Sequence, residues 1–250
     1  MSLFLFFTRL DKLFQVLRSK GLFLSLLRYQ VLVGAEHRHV LCRDLATVVD
    51  IGANRGQFSL AIRAYAPKAH VIAFEPLPGP GEIFRRVFAG DPMVCLHPVA
   101  IGANAGEAVI HVTEADDSSS LLPVSPLQEK LFRGCRTVAT ETIKVGRLAD
   151  FVSAQKIVSS AMLKLDVQGY ELEALRGCDD LLDRFMYVYA ECSFVELYSG
   201  QALAHEVIAW LRERSFKLSG VYNVCYDKDG RVIQGDFLFR ADQRAKSAGS

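Results

Sequence analysis

Two glycines and two carboxylates near the start of the β-rich part of the chain have the types and spacing of a ligand site. Asp50 and Gly52 stand at the end of a β-branched run, Gly56 opens the helical segment that follows, and Glu75 ends the next β-rich run. Glycines let the backbone approach a ligand without a Cβ in the way. A carboxylate at the second strand end can accept hydrogen bonds from both hydroxyls of a ribose. The pattern predicts a nucleotide-like ligand at the carboxyl edge of a parallel sheet.

The spacing of the two glycines narrows the kind of ligand. Gly52-x-x-x-Gly56 matches neither the G-x-G-x-x-G of a dinucleotide site nor the G-x-x-x-x-G-K-[ST] of a phosphate loop. The acid at Asp50 would repel a pyrophosphate, but it suits a ligand that carries an ammonium and a sulfonium. S-adenosylmethionine is such a ligand. An NAD-dependent oxidoreductase remains as a disfavoured alternative.

The elements that must position these residues alternate along the chain. Strands are predicted at 47–51, 70–74, 93–100, 162–166 and 187–191, and helices at 57–65, 81–88, 170–182 and 203–214. This alternation is typical of a parallel sheet with helices on both faces. Segment 104–151 breaks it and predicts an insertion or an elaborated sheet edge. Strand-like runs at 217–222 and 232–240, joined through an Asp-x-Asp-Gly loop, predict a terminal antiparallel hairpin.

Five segments together resemble the FkbM-type methyltransferases of the class I S-adenosylmethionine-dependent group. They are 49–56, 74–76, 99–102, 164–171 and 234–239, within a region of resemblance over about residues 45–240. The resemblance implies an α/β fold: a Rossmann-like, mostly parallel seven-stranded sheet with helices on both faces and a C-terminal antiparallel hairpin. It also implies S-adenosylmethionine as methyl donor, with transfer usually to an oxygen of a sugar or natural product. Gln168 departs from the glutamate that many members carry, which leaves the polarity of the substrate open.

The same resemblance implies the residues of the donor site. Adenine is expected against the end of the third strand. The predicted donor-binding residues are Asp50, Gly52, Asn54, Gly56, Phe58, Glu75, Pro76, Ala100 and Ile101.

Candidate catalytic residues follow the fourth and fifth strands. Methyl transfer needs an acceptor held close and in line, and help in removing its proton. Asp166 is predicted at the tip of the fourth strand as a base or an acceptor-orienting group, with a helix cap or a salt-bridge partner as its structural alternative. Lys164 lies two residues earlier on the same face of the strand. If Lys164 pairs with Asp166, the aspartate is a weaker base, which favours hydrogen-bonding of the acceptor over deprotonation.

Two further acids are candidates at the same edge. Glu171 falls in the first turn of the helix after Asp166, where its charge also suits the helix dipole, and Glu191 ends the fifth strand. Catalysis and plain stabilisation are both open for each. With Asp166 they could hold Mg²⁺, but carboxylates from three separate motifs are only suggestive, and no metal ligands are assigned.

Composition limits the partners and the compartment. The chain has 250 residues, half of them hydrophobic, with 29 basic against 28 acidic residues. This balance argues against nucleic acid as a partner. The family resemblance implies a small-molecule acceptor: a sugar, a glycolipid or a natural product. The six cysteines form no C-x-x-C pair, which indicates reduced thiols and a cytoplasmic protein.

The expected domain organisation is an N-terminal amphipathic helical arm at 1–44, a methyltransferase domain at 45–240 and a flexible tail at 241–250. The arm is predicted to pack on the domain or on a second subunit, giving a homo-oligomer, or to lie on a membrane surface as a peripheral contact. His37 and His39 lie before the domain, and no catalytic role is predicted for them.

The predicted function is O-methylation of a small-molecule hydroxyl. A non-catalytic donor-binding scaffold with the same fold is the alternative, and it predicts damage to the donor motif, which the sequence does not show. The serine-rich segment 117–121 is expected either to lie over the donor or acceptor or to be a solvated loop. Tyr198 is expected to wall the acceptor pocket or simply to pack.

Overall fold

The computed structural model describes residues 29, 31–32, 34–41 and 44–242. Its strands form two sheets. The strands are β1 (Thr47–Ile51), β2 (His70–Phe74), β3 (Val94–His97), β4 (Ala100–Ile101), β5 (Gly106–Thr113), β6 (Thr137–Gly146), β7 (Ala161–Leu165), β8 (Tyr187–Ser193), β9 (Phe216–Tyr226) and β10 (Val232–Ala241).

Helices connect the strands of the larger sheet. The α-helices are α1 (Arg38–Leu41), α2 (Gln57–Tyr65), α3 (Pro78–Val87), α4 (Pro126–Leu131), α5 (Glu171–Gly177) and α6 (Ala204–Glu213). Short 3₁₀ turns lie at Ala35–His37, Asp116–Ser118, Leu148–Asp150, Ala154–Lys156 and Asp179–Arg184.

The larger sheet has seven strands in the order β3-β2-β1-β7-β8-β10-β9. Strands β3, β2, β1, β7 and β8 run parallel, whereas β10 is antiparallel to both β8 and β9. The predicted fold class and terminal hairpin are therefore confirmed. From β1 the sheet grows in one direction through β2 to β3 and in the other direction from β7 onward. The carboxyl ends of β1 and its neighbours therefore border a crevice.

The central strands are hydrophobic on both faces because helices cover both. Every residue of β1 and of β7 is buried. Val49 and Leu163 belong to the core cluster on one side of the sheet, and Val48 and Met162 to the cluster on the other. Continuous apolar runs of this kind are expected of parallel strands, and they explain why strands 47–51 and 70–74 are correctly predicted from sequence.

Two predicted elements divide in the structure. The strand predicted at 93–100 is wrong as a single element: β3 belongs to the large sheet and β4 to the small one. Pro98 lies between them, and its missing N–H interrupts a ladder. The helix predicted at 170–182 ends at Gly177 and continues as the 3₁₀ turn Asp179–Arg184.

Segment 104–151 builds most of the small sheet, which has the order β4-β6-β5. Its apolar face includes Ile110, Ile143 and Val145, which pack with Leu77 and Ala100. The insertion is thereby attached beside the carboxyl edge of the large sheet, where the predicted site lies.

Much of the predicted arm and most of the tail lie outside the described residues, so their amphipathic packing, membrane contact and flexibility stay predictions. Of the described part of the arm, residues 34–41 pack against α2. No helix within the described ranges is long and apolar enough to cross a membrane.

Candidate active site

The loop between β1 and α2 turns through left-handed backbone conformations. Gly52 has φ 75°, Asn54 has φ 46° and Gly56 has φ 95°. The backbone N–H groups of Gly52 and Ala53 both donate to the Phe74 carbonyl at 3.0 Å. A Cβ on Gly52 would stand 1.9 Å from the Asp166 carbonyl oxygen. Position 52 therefore requires glycine both for its conformation and for the close approach of two strand ends.

Glu75 presents a buried carboxylate at the end of β2. One oxygen accepts from the Asn54 backbone N–H at 2.9 Å, and the other from the Leu77 N–H at 2.8 Å. Each carboxylate oxygen has a second acceptor position left for a ligand hydroxyl. Burial raises the pKa of Glu75 to about 7, against the opposing effect of these two N–H donors. The group therefore titrates near neutral pH.

Asp50 and Lys164 lie opposite each other on the neighbouring strands β1 and β7. Lys164 Nζ is 3.0 Å from Asp50 Oδ1 and donates to the Gly52 carbonyl at 3.0 Å. The Ser59 hydroxyl donates to Asp50 Oδ2 at 2.7 Å. Burial by itself lowers the pKa of Lys164, but the carboxylates of Asp50 and Asp166 outweigh it and raise that pKa.

Lys164 pairs with Asp166, as considered from sequence, but it has a nearer partner in Asp50. Lys164 Nζ is 3.8 Å from Asp166 Oδ2, farther than from Asp50. Asp50 is fully buried, with both oxygens engaged, and lies outside the lining of the cavity described below. Its direct contact with a ligand ammonium stays a prediction. In the structure Asp50 supports the glycine loop from beneath.

Asp166 and Glu191 are joined by the amide of Gln168. Gln168 Nε2 donates to Asp166 Oδ1 at 2.7 Å and to Glu191 Oε2 at 3.1 Å, and its oxygen accepts from the Tyr198 hydroxyl at 2.7 Å. Gln234 Nε2 donates to the other Glu191 oxygen at 2.8 Å. Burial raises the pKa of Glu191, and the charge of Asp166 raises it further. A glutamine at position 168 thus supplies donors where a third carboxylate would only repel.

Glu171 turns away from the other two acids. Its Oε1 accepts from the backbone N–H groups of Val167 at 3.1 Å and Gly169 at 3.2 Å, so it closes the turn that precedes α5. Burial raises the pKa of Glu171 to about 7. Among the described residues, no group of three or more acidic, histidine or cysteine side chains is arranged to hold a metal ion. The arrangement gives no support to the Mg²⁺ site considered from sequence.

A cavity of about 320 Å³ opens at this edge of the sheet. Its size is at the lower end of the range for small-molecule sites. The predicted site residues in its lining are Gly52, Asn54, Phe58, Glu75, Pro76, Ala100, Ile101, Lys164 and Asp166. Those outside its lining are Asp50, Gly56, Glu171 and Glu191. The lining therefore divides the predicted residues into those that border the cavity and those that lie behind its wall.

The inserted segment forms one wall of the cavity. Asp116, Asp117, Ser119 and Ser120 line it, as does Gln168 across from them. The Ser120 hydroxyl donates to the Gln168 carbonyl at 2.6 Å. The serine-rich segment is thus held against the tip of β7, although its role toward a ligand stays a prediction.

The glycine loop is joined directly to this wall. The guanidinium of Arg55 forms an ion pair with Asp116 at 2.6 Å. The hydroxyl oxygen of Tyr198 also lies 3.0 Å from the Ser118 carbonyl oxygen of the same wall, while its single hydrogen is donated to Gln168. Tyr198 itself is buried and does not line the cavity.

His37 is a cavity residue that the sequence analysis missed. The 3₁₀ turn Ala35–His37 brings its ring against Phe58, with ring centroids 5.0 Å apart, and His37 lines the cavity together with Gly34 and Glu36. It lies before the predicted domain, away from the donor motifs along the chain. No local pattern distinguishes His37 from His39, because tertiary packing alone brings it to the site.

The sheet order, terminal hairpin and cavity at the strand ends define a class I methyltransferase fold. A match to the methyltransferase FkbM domain covers residues 50–218. The chain belongs to the FkbM methyltransferase family.

Individual relatives have low sequence identity to this chain. The chain is 27% identical over 201 residues to the 2-O-methyltransferase NoeI of Sinorhizobium fredii, covering 77% of this chain and 78% of that protein. It is 28% identical over 156 residues to Methyltransferase 1 of Beauveria bassiana, covering 55% of this chain and 60% of that protein. Among solved structures, TehB from Haemophilus influenzae has a TM-score of 0.48 at 8% identity, covering 89% of this chain and 68% of that one.

We expect Gly52→Ala to destabilise the protein. The substitution combines a positive φ with a clash against the Asp166 carbonyl, so we expect the free energy of unfolding to fall by roughly 2–4 kcal/mol. Chemical denaturation measures the change. Gly79→Ala is the matched control, because a Cβ there meets no atom within 4 Å. Equal stability of the two variants would contradict the close approach of the two strand ends.

The raised pKa of Glu171 predicts a pH-dependent stability. The folded-state pKa of about 7 lies above the ordinary glutamate pKa of 4.5, so the folded state binds the proton more tightly. Stability from this group is complete below pH 4.5 and is lost as the pH rises through 7. Relative to wild type, we expect Glu171→Gln to gain roughly 2 kcal/mol between pH 5 and pH 8.

Urea unfolding at the two pH values measures this difference. Glu173→Gln, on the same helix, controls for the loss of one acid from α5. A pH dependence that is the same in wild type and Glu171→Gln would show that Glu171 does not titrate in this window.

Proposed function

We propose that this protein is an S-adenosylmethionine-dependent O-methyltransferase that acts on a hydroxyl of a small molecule, with a sugar, glycolipid or natural product as the acceptor class. The observation that carries the proposal is the Glu75 carboxylate, buried at the cavity wall with one acceptor position left on each oxygen. Two adjacent ribose hydroxyls match this arrangement. The membership of the FkbM family and the name of the NoeI relative, a 2-O-methyltransferase, support it further.

The residues around Glu75 fit the remainder of the donor. Ala100 and Ile101 give an apolar surface of the kind that an adenine ring needs, and the positive backbone angles at Gly52 and Asn54 open the loop toward the cavity. Bound S-adenosylmethionine would supply a methyl group already activated by a sulfonium. The protein then has to orient the acceptor, exclude water and receive a proton.

Asp166 is the proposed acceptor-orienting group. Its side chain is 42% exposed and lines the cavity, while Gln168 holds one of its oxygens and Lys164 faces the other. A carboxylate fixed in this way can accept a hydrogen bond from an acceptor hydroxyl and set its direction. Lys164 is held by Asp50 and the Gly52 carbonyl, so we assign it to positioning of the loop and of Asp166.

Calorimetric titration with S-adenosylhomocysteine, beside NAD⁺, tests the donor assignment. We expect binding of S-adenosylhomocysteine and none of NAD⁺. A panel of methyl glycosides, lipid-linked sugars and phenols, assayed for S-adenosylhomocysteine formed from S-adenosylmethionine, then tests acceptor class. A folded wild-type protein that fails to bind S-adenosylhomocysteine would refute the proposed function.

The titration of Glu75 gives a sharper prediction. Only the charged carboxylate can accept from both ribose hydroxyls, and its pKa without ligand is about 7. We expect the affinity for S-adenosylhomocysteine to rise about tenfold from pH 6 to pH 8. Glu75→Gln should bind more weakly at both pH values and lose this rise. A rise of the same size in Glu75→Gln would assign the pH dependence to another group.

A further inference from the structure

The imidazole of His37 is fixed in the cavity wall by its neighbours. Its ring meets Phe58 and Tyr189 edge-on, with centroids 5.0 and 5.6 Å away and interplanar angles of 73° and 84°. The side chain is 18% exposed, and the cavity wall that it forms also contains Lys164 and Asp166. His37 therefore faces the same space as the acceptor-orienting carboxylate.

A chain of hydrogen bonds runs from the His37 ring to strand β10. His37 Nδ1 lies 3.0 Å from the Tyr189 hydroxyl oxygen, and that hydroxyl donates to Asp236 Oδ2 at 2.9 Å. Asn223 Nδ2 donates to the same Asp236 oxygen at 2.7 Å. Tyr189 is buried, and Asp236 is 16% exposed at its side chain.

The direction of these bonds fixes the tautomer of the imidazole. Tyr189 has a single hydroxyl hydrogen, and the carboxylate of Asp236 receives it. The phenolic oxygen must then accept from His37, so the proton of the neutral ring lies on Nδ1. Nε2 keeps its lone pair, and no described residue donates a hydrogen bond to it. The unprotonated nitrogen of a wall residue is the form that a general base requires.

Burial favours the neutral form of His37. Burial lowers the pKa of His37 and outweighs the carboxylates of Asp236, Glu36 and Asp166, which raise it. The ammonium of Lys164 lowers it further. When Nε2 gains a proton, Nδ1 still donates to Tyr189, and Asp236 stands 3.7 Å from the ring to balance the new charge.

We propose that His37 is the general base of the methyl transfer, with Tyr189 and Asp236 as the residues that position it. The proposal rests on the proposed O-methyltransferase function. As the acceptor oxygen bonds to the methyl carbon, the carbon–sulfur bond of the sulfonium breaks and its electron pair stays on sulfur. The hydroxyl proton moves to His37 Nε2. The products are the methyl ether, S-adenosylhomocysteine and the imidazolium of His37, which releases its proton to solvent.

This assignment gives His37 a role different from those of the candidates predicted from sequence. Lys164 is a protonated ammonium with no lone pair, engaged by Asp50 and the Gly52 carbonyl. Glu171 and Glu191 lie outside the cavity lining. In this assignment Asp166 orients the acceptor hydroxyl, and His37 receives its proton.

Nitrogen-15 NMR of the histidine rings tests the tautomer without any acceptor. The chain has six histidines, and His37→Asn identifies the signal of His37. We expect the Nδ1–H tautomer in wild type, with Nε2 unprotonated above a pKa below 6.5. Tyr189→Phe removes the acceptor for Nδ1–H, and we expect the Nδ1–H preference to be lost. An Nε2–H tautomer in wild type would overturn the proposal.

Steady-state kinetics with an acceptor from the panel test the proton transfer. His37→Asn keeps a donor for Tyr189 but removes Nε2, so we expect kcat to fall about 10²- to 10⁴-fold with a small change in KM. The limb of the pH profile in which kcat rises with pH should disappear as well. His39→Asn is the matched control: His39 is exposed two residues away, and we expect wild-type kinetics.

Calorimetry with S-adenosylhomocysteine on the same variants separates the two proposals. Wild type and His37→Asn should bind it alike, since His37 acts on the acceptor. If wild type does not bind it, the donor assignment fails, while the NMR result on the tautomer still stands. If wild type binds and turns over, and His37→Asn turns over at the same rate, the O-methyltransferase function survives and the base assignment is overturned.

Discussion

A buried ion pair between adjacent strands holds the loop on which the cavity depends. Asp50 and Lys164 stand side by side in the centre of the sheet, where withdrawing each charge from water costs several kcal/mol. Their attraction offsets this cost, and hydrogen bonds from Ser59 to the other Asp50 oxygen and from Lys164 to the Gly52 carbonyl add to that attraction. Lys164 thereby connects the register of β1 and β7 to the position of the glycine loop. The backbone angles of the glycine loop follow from that anchoring.

Three parts of the structure form the cavity, and each is stabilised by its own contacts. Helix-covered parallel strands give the floor, with its rigid core on both faces. The inserted sheet has its own apolar cluster and is joined to the glycine loop by Arg55 and Asp116. The turn at Ala35–His37 closes a third side through ring packing on Phe58. Rigid strands position Glu75 and Asp166, while the other walls give the cavity its shape.

The sequence predicts the elements that local patterns encode. It does not predict the contacts that depend on strand register and tertiary packing. Strands 47–51 and 70–74 and helix 57–65 are predicted at their observed bounds, because apolar runs and glycines are local signals. The Asp50–Lys164 pair requires the register of two strands far apart in sequence, so the local neighbour Asp166 took its place in the prediction. His37 reaches the cavity only because the chain before β1 folds back across α2.

The matched family region runs over residues 50–218, whereas His37 precedes it and Asn223 and Asp236 follow it. Residues from both sides of the matched region therefore meet at Tyr189, which lies within it. Cutting the chain at those bounds would also remove β10 and leave β8 as an open sheet edge. The proposed base His37 and its positioning residue Asp236 thus lie outside the matched region, whereas Glu75, Asp166 and Tyr189 lie within it. Substitutions in the flanking segments would therefore alter the surroundings of the histidine without replacing the carboxylates proposed to hold the donor and the acceptor.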